Sequence, residues 1–307
     1  MPERVASIDV GTNTVLLLVA ERRGAALAPV LERAEITRLG RGVDATGRLE
    51  AAAIRDTVEV LAQYARQARD LGASRIVCVA TSAARDAANG AEFFDAARAA
   101  AGLVPEVIPG EEEARLVYGS AWRDFGATGG TPLAVLDVGG GSTEFTFGET
   151  SRPARRASLQ VGAVRLTERH VRGDPPSQRE LAALREAARE ALRPLGGMDL
   201  PAGGRLVGVA GTVTTLSAVS QALPAYDAAR VHGASLTLAE TEALAGRLAA
   251  LTVRERAALP GMEPKRADVI LAGALVVAEA MRATGFDRLT VSDRGVRWGL
   301  LYDRFGG

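Results

Sequence analysis

Three short stretches bring glycine and hydroxyl side chains together at the ends of apolar runs: Gly11-Thr12-Asn13-Thr14, Gly139-Gly140-Gly141-Ser142-Thr143 and Gly208-Val209-Ala210-Gly211-Thr212. Such corners suit phosphate, because glycine lets backbone N–H groups approach the oxygens and Ser or Thr hydroxyls complete the cradle. Any one of them reads equally as an ordinary turn. Three together, two of them preceded by an aspartate at a strand end, favour phosphate binding. Those aspartates, Asp9 and Asp137, form with Glu144 a set of candidate magnesium ligands, with manganese as the alternative metal. Such ions take oxygen donors and share them with substrate phosphates. Capping of a turn is the plainer role for each.

The run Gly110-Glu111-Glu112-Glu113-Ala114-Arg115 sets three carboxylates at an expected helix start. The helix dipole favours negative charge there in any protein. A phosphohydrolase that attacks with water nevertheless needs a carboxylate base, and the chain has only two histidines. His170 and His232 lie in polar surroundings without the paired spacing of a metal site and read as structural. The P-loop pattern and the Gly-x-Ser-x-Gly elbow are both absent from the sequence.

The elements that must position these residues alternate between strand and helix. Val5–Asp9 and Val15–Ala20 read as two strands joined by a tight turn, and Leu133–Asp137 with Glu144–Gly148 repeat that figure, so the chain reads as an internal duplication. An amphipathic helix is expected near residues 51–71, a strand over 75–80, a helix over 91–101 and a short strand over 104–108. In the second half, helices are expected near residues 178–192, 238–251 and 267–283, with strands over 205–210 and 287–292. This alternation argues for an α/β architecture. The Gly/Pro punctuation of Gly126–Pro132 marks a hinge, giving domains of residues 1–127 and 128–307.

Composition narrows the partners. Lys+Arg and Asp+Glu each total 37, so no overall field draws in a polyanion; nucleic acid is not expected, and an anion site must be built locally. The single cysteine, Cys78, lies in an apolar run and reads as a buried strand residue. The start runs straight into a short apolar strand without the long core of a signal peptide, and the apolar stretch Asp268–Met281 is too short for a membrane span. A cytoplasmic protein without a membrane partner is expected.

Ile8-Asp9-Val10-Gly11-Thr12-Asn13-Thr14, Ala80-Thr81-Ser82-Ala83-Ala84-Arg85-Asp86, Gly110-Glu111-Glu112-Glu113-Ala114-Arg115-Leu116 and Leu136-Asp137-Val138-Gly139-Gly140-Gly141-Ser142-Thr143-Glu144 occur in that order. Val161-Gly162-Ala163-Val164-Arg165, Gly208-Val209-Ala210-Gly211-Thr212, Arg266-Ala267-Asp268 and Ser292-Asp293-Arg294-Gly295 follow. This ordered series resembles the exopolyphosphatase and guanosine pentaphosphatase family, a branch of the actin, sugar-kinase and heat-shock chaperone ATPase superfamily, over nearly the whole chain. The resemblance implies two actin-like, ribonuclease H-like α/β domains with the active site in the cleft between them, the last helix packing back on the first domain. It implies Glu113 as the residue that activates the attacking water, and Asp137 as the magnesium-linked carboxylate supported by Glu144, with Asp9 kept as a metal candidate from its strand-end position. Thr12, Asn13, Gly140, Gly141, Ser142 and Thr143 would hold phosphates and Arg85 would neutralise one, while Gly211 and Thr212 remain phosphate candidates from the third corner. The implied substrate is inorganic polyphosphate, with guanosine pentaphosphate as the rival and an actin- or chaperone-like nucleotide-binding module as the non-hydrolase alternative. A homodimer and the short form of the family are also implied, longer members carrying further helical domains.

Overall fold

Alternation of apolar side chains along strand after strand dictates two sheets. The computed structural model describes residues 2–126, 131–198 and 203–306. The chain divides into one unit of Met1–Ser120 with Val296–Gly307 and another of Ala121–Gly295.

The first unit holds β1 (Arg4–Val10), β2 (Thr14–Arg23), β3 (Ala26–Ile36), β4 (Ala73–Ala80) and β5 (Glu106–Val107) in the order β3-β2-β1-β4-β5. β1, β2 and β3 are antiparallel neighbours, and β4 and β5 continue parallel to β1. Ala6, Ile8 and Val10 with Val15, Leu17 and Val19 face the helices Ala51–Asp70 and Gly90–Ala101. Val5, Leu18 and Ala20 face the opposite way, onto Trp298, Leu301 and Phe305 of the helix Val296–Phe305. The period of two puts Asp9 on this second face, where Ser7 donates to the Arg297 carbonyl at 2.7 Å.

The second unit holds β6 (Leu133–Val138), β7 (Thr143–Gly148), β8 (Arg155–Leu159), β9 (Arg205–Val209), β10 (Ser235–Thr237) and β11 (Arg288–Val291) in the order β10-β11-β9-β6-β7-β8. β6, β7 and β8 again form an antiparallel trio, and β9 and β11 run parallel to β6. The run β8-β7-β6-β9-β11 thus repeats β3-β2-β1-β4-β5, which is the expected duplication in topological form. Ala134, Leu136, Val138, Phe145 and Phe147 line the main core together with the helices Gln178–Gly196 and Ile270–Thr284. Ile270 to Met281 are buried all round, as a helix apolar on every face requires.

Cys78 is buried on β4. Gly126, where the expected hinge begins, ends a π-helical turn Trp122–Gly126; residues 127–130 of that hinge lie outside the described residues. Among the described residues no helix is long and apolar enough to cross a membrane.

Candidate active site

The turns after β1 and β6 are built alike. Gly11 N–H donates to the Thr14 carbonyl at 3.0 Å, and Gly139 N–H donates to the Ser142 carbonyl at 3.0 Å. In each turn the carbonyls are then claimed by a neighbouring segment. Thr12 O accepts from Gly40 N (2.8 Å), and Asn13 O accepts from both Thr37 N and Arg38 N (3.1 Å each). Gly139 O accepts from Ala163 N (3.0 Å), Gly140 O from Val164 N (2.9 Å) and Arg165 N (3.1 Å), and Gly141 O from Arg165 Nε (2.8 Å). The helix Ala163–His170 thus spends its first N–H groups, which have no partner inside a helix, on the glycine turn. A Cβ on Gly162 would stand 2.5 Å from the Gly140 carbonyl oxygen, so only glycine lets that helix start approach so closely.

With carbonyls held on one side, a turn presents its amides on the other. The N–H groups of Gly140, Gly141 and Ser142 meet no protein acceptor among the described hydrogen bonds. Asn13 Nδ2 is buried and unpaired, and a buried amide donor without a partner is costly unless a ligand oxygen completes it. Thr12, Asn13 and Ser142 are all buried. Thr143 is turned differently: its hydroxyl donates to the Val161 carbonyl at 2.6 Å, and the residue is fully buried, so its side chain braces the turn.

Asp137 stands opposite Glu144 in the β6–β7 ladder, which sets both carboxylates on the face away from the main core. Both are buried, and Glu144 Oε1 accepts from Ser158 Oγ at 2.8 Å. Burial pushes the Asp137 carboxyl up to about 7. Among the described residues no cation offsets that desolvation, and a buried carboxylate in that condition favours a bound metal ion. Among the described residues no group of three or more His, Cys, Asp or Glu side chains encloses a metal alone. The donor set therefore fits magnesium in its usual manner, with one or two carboxylates completed by water and substrate oxygens. Asp9 occupies the position equivalent to Asp137 in the first unit and is likewise buried.

The three glutamates of the helix Gly110–Ala121 have different surroundings. Glu111 is exposed, and Glu112 is bound by both ends of the Arg115 guanidinium at 2.8 and 2.7 Å. Glu113 is buried, with Arg85 Nη1 4.0 Å from its Oε2. Arg85 Nη1 also donates to the Ile108 carbonyl at 3.1 Å, while its Nε lies 3.4 Å from Asp86 Oδ1. Arg85 thus fastens the segment entering the Glu113 helix as well as standing beside the carboxylate.

The third corner follows β9 into the helix Ala210–Ser220. Ala210 takes φ of +69°, a left-handed conformation costing a non-glycine residue about 1–2 kcal/mol. A side chain on Gly211 would lie 2.2 Å from the Arg266 guanidinium, which therefore covers this corner. Burial lowers the pKa of Arg266 and nearby Glu263 opposes that shift. Thr212 is buried, its methyl group turned to Gly273 of the long apolar helix. Arg165 and Arg266 brace these corners, each set against a glycine turn, and no motif in the sequence marks either role. His170 ends the helix Ala163–His170. His232 lies between two aspartates, Nδ1 3.0 Å from Asp293 Oδ1 and Nε2 3.8 Å from Asp124 Oδ2.

Comparison with known proteins agrees with this architecture. A family model described as the Ppx/GppA phosphatase family matches residues 18–306. Exopolyphosphatase 2 of Mycobacterium tuberculosis is 44% identical, with 99% of each chain covered. The crystal structure of the type II variant of the Aquifex aeolicus Ppx/GppA phosphatase is 35% identical with a TM-score of 0.77, covering 99% of both chains. An exopolyphosphatase from Cytophaga hutchinsonii is 25% identical with a TM-score of 0.89, covering 98% of this chain and 97% of its own. These neighbours share the actin-like two-domain fold.

Proposed function

From the premise that the chain belongs to the Ppx/GppA phosphatase family, we propose that it is an exopolyphosphatase, releasing terminal orthophosphate from inorganic polyphosphate by water attack. The observation that carries this reading is the pair of like-built turns whose carbonyls are tied back while the Gly140, Gly141 and Ser142 amides and the Asn13 side-chain amide stay available. A chain of repeated phosphates offers such turns a succession of equivalent anionic oxygens.

Thr12, Asn13, Gly140, Gly141 and Ser142 hold phosphate oxygens, Asn13 through its side-chain amide and the glycines through backbone N–H. Thr143 and Arg165 keep the second turn in shape. The third corner, with Gly211 and Thr212, supports the same anion from the end of β9. Glu113 accepts a proton from the attacking water and orients it in line with the departing chain. Its burial keeps bulk water from competing for the carboxylate, and Arg85 beside it is available to neutralise the phosphate under attack. Asp137, with Glu144 and Asp9, holds a divalent cation, magnesium or manganese. When bound, the ion supplies charge neutralisation at phosphate oxygens.

A competition assay on one preparation tests the substrate. The expected result is a higher kcat/KM for polyphosphate than for guanosine pentaphosphate. The reverse order would make the chain a guanosine pentaphosphate phosphohydrolase; nucleotide binding without phosphate release from either substrate would make it a binding module.

A further inference from the structure

His232 and the Ser292-Asp293-Arg294-Gly295 segment take no part in the phosphate chemistry above, yet they converge on one another. Arg294 Nη1 donates to Asp124 Oδ1 at 2.7 Å. On the other side of Asp124 stands His232, Nε2 3.8 Å from Oδ2, and its Nδ1 lies 3.0 Å from Asp293 Oδ1. The Phe125 ring lies against the imidazole with centroids 5.1 Å apart. The Asp124 and Asp293 side chains are only 14% and 11% exposed. Asp124 Oδ2 and His232 Nδ1 are buried without a hydrogen bond of good geometry.

A neutral imidazole has one N–H and one lone pair. Set between two carboxylates, either neutral tautomer turns a lone pair toward an anionic oxygen. Neither contact has the geometry of a hydrogen bond, so the attraction is one of charge, and only the imidazolium sets a positive ring against both carboxylates. The charges lead the same way, since Arg294 is paired with Asp124 and a second anion, Asp293, stands on the other side of the ring in a mostly buried cluster, where an unbalanced charge is costly. Burial raises the Asp124 pKa, an effect that Arg294 and His232 oppose. An Asp124 carboxylic acid donating to a neutral Nε2 is the competing arrangement.

The cluster ties down the two ends of one unit. Asp124 lies just inside its start at Ala121, and Asp293 and Arg294 just before its end at Gly295. Ser292 N–H donates to the Gly208 carbonyl and Gly233 N–H to the Val291 carbonyl, both at 2.8 Å. Because β6, β9 and β11 are parallel, the residues leaving β11 share a sheet edge with Asp137 and the Ala210-Gly211-Thr212 corner.

We propose that His232 is a positioning residue which, as an imidazolium, clasps Asp124 to Asp293 and so fixes the sheet edge that bears the phosphate-binding corners. The kinetic part of its test rests on the polyphosphate reading; the spectroscopic part does not. A His170→Gln background leaves His232 as the sole histidine, because the chain has only two. Nitrogen-15 NMR of histidine-labelled protein at about pH 6 is expected to find both ring nitrogens protonated. Asp124→Asn should change the Nε2 signal, because that nitrogen then faces a neutral amide. A single N–H at this pH, with Asp124 titrating as the acid, overturns the proposal. In kinetics, His232→Gln and the milder Asp293→Asn should each lower kcat/KM for polyphosphate roughly tenfold, and the pH profile of His232→Gln should differ from that of the parent. Parent-like kcat/KM, or a lowered value with the pH profile unchanged, overturns the positioning role. If the parent releases no phosphate from polyphosphate, the functional reading fails while the NMR result still decides the clasp.

Discussion

A carboxylate that serves as a base beside a phosphate works best when burial shields it from bulk water. Within the run Glu111-Glu112-Glu113, Arg115 takes both oxygens of Glu112, Glu111 is exposed, and Glu113 is buried with Arg85 Nη1 4.0 Å from its Oε2. The sequence could not separate the three, because helix position and charge are the same for all; family resemblance chose Glu113, and burial gives the physical ground for that choice. Glu113→Gln keeps shape and capping ability but cannot accept a proton, so kcat should fall by about 10²–10⁴-fold while polyphosphate still binds. Steady-state kinetics beside Glu112→Gln check this, and a larger loss for Glu112→Gln would move the base by one residue. Asp137 allows a test that needs no substrate. Its folded carboxyl is raised to about 7 by burial, above the ordinary carboxylate value. The fold therefore favours the protonated form; that advantage is fully present below the unfolded pKa and is lost as pH rises through about 7. Asparagine stays neutral throughout. In metal-free protein, Asp137→Asn should be more stable than the parent at pH 8 by at least about 1 kcal/mol, with the difference closing toward pH 4. Thermal melts across that range decide it, and a parent that is the more stable at pH 8 would contradict the desolvation account.

Elements with strong patterning were readable, and those at edges were not. The pairs β1–β2 and β6–β7 announced themselves through apolar alternation around a glycine turn. β3 did not, because it is a largely exposed edge strand carrying Pro29, with a register shift where Val19 and Ala20 pair with Leu31 and Pro29. A proline is tolerated there because an edge strand has one side unpaired. Three helix starts carry their cue in the sequence as Ser or Thr followed three residues later by Glu. Ser177–Glu180, Thr237–Glu240 and Thr252–Glu255 each form a capping box. The first of these also gathers the preceding loop. Glu180 takes the Ser177 hydroxyl and the N–H groups of Gly173, Ser177 and Arg172, which together hold its carboxyl down at about 2. A depressed carboxylate contributes stability above its unfolded pKa and loses it as pH falls through the folded value. Glu180→Gln should therefore lower the melting temperature at pH 7, with the deficit shrinking toward pH 2. Ser177→Ala should cost about 1 kcal/mol. An equal melting temperature for Glu180→Gln and parent at pH 7 would show that the loop is held by other contacts.

At the scale of the whole molecule, duplication made the fold legible. Two copies of an aspartate-ended strand, a glycine turn and a returning strand imply two sheets of the same order, and β3-β2-β1-β4-β5 is repeated by β8-β7-β6-β9-β11. The cross-braces were less legible, because Arg165 on the Gly141 carbonyl and Arg266 over Gly211 join segments far apart in sequence. The proposed activity follows from combining these parts: turns that present amides to successive phosphates, a buried base, and carboxylates suited to a divalent ion. Arg85→Lys tests that combination, since lysine lacks the planar fork that can serve Ile108 and a phosphate together. It should reduce kcat/KM by the equivalent of about 1–3 kcal/mol, and an unchanged value would leave Arg85 a purely structural role. The most direct test of the central claim is orthophosphate release from long-chain polyphosphate, followed alongside the length of the remaining chains, with magnesium and with excess chelator. The account predicts release with magnesium that shortens chains from their ends, and near-complete loss with chelator or with Glu113→Gln. Internal scission, or release undiminished by both chelator and Glu113→Gln, would contradict it.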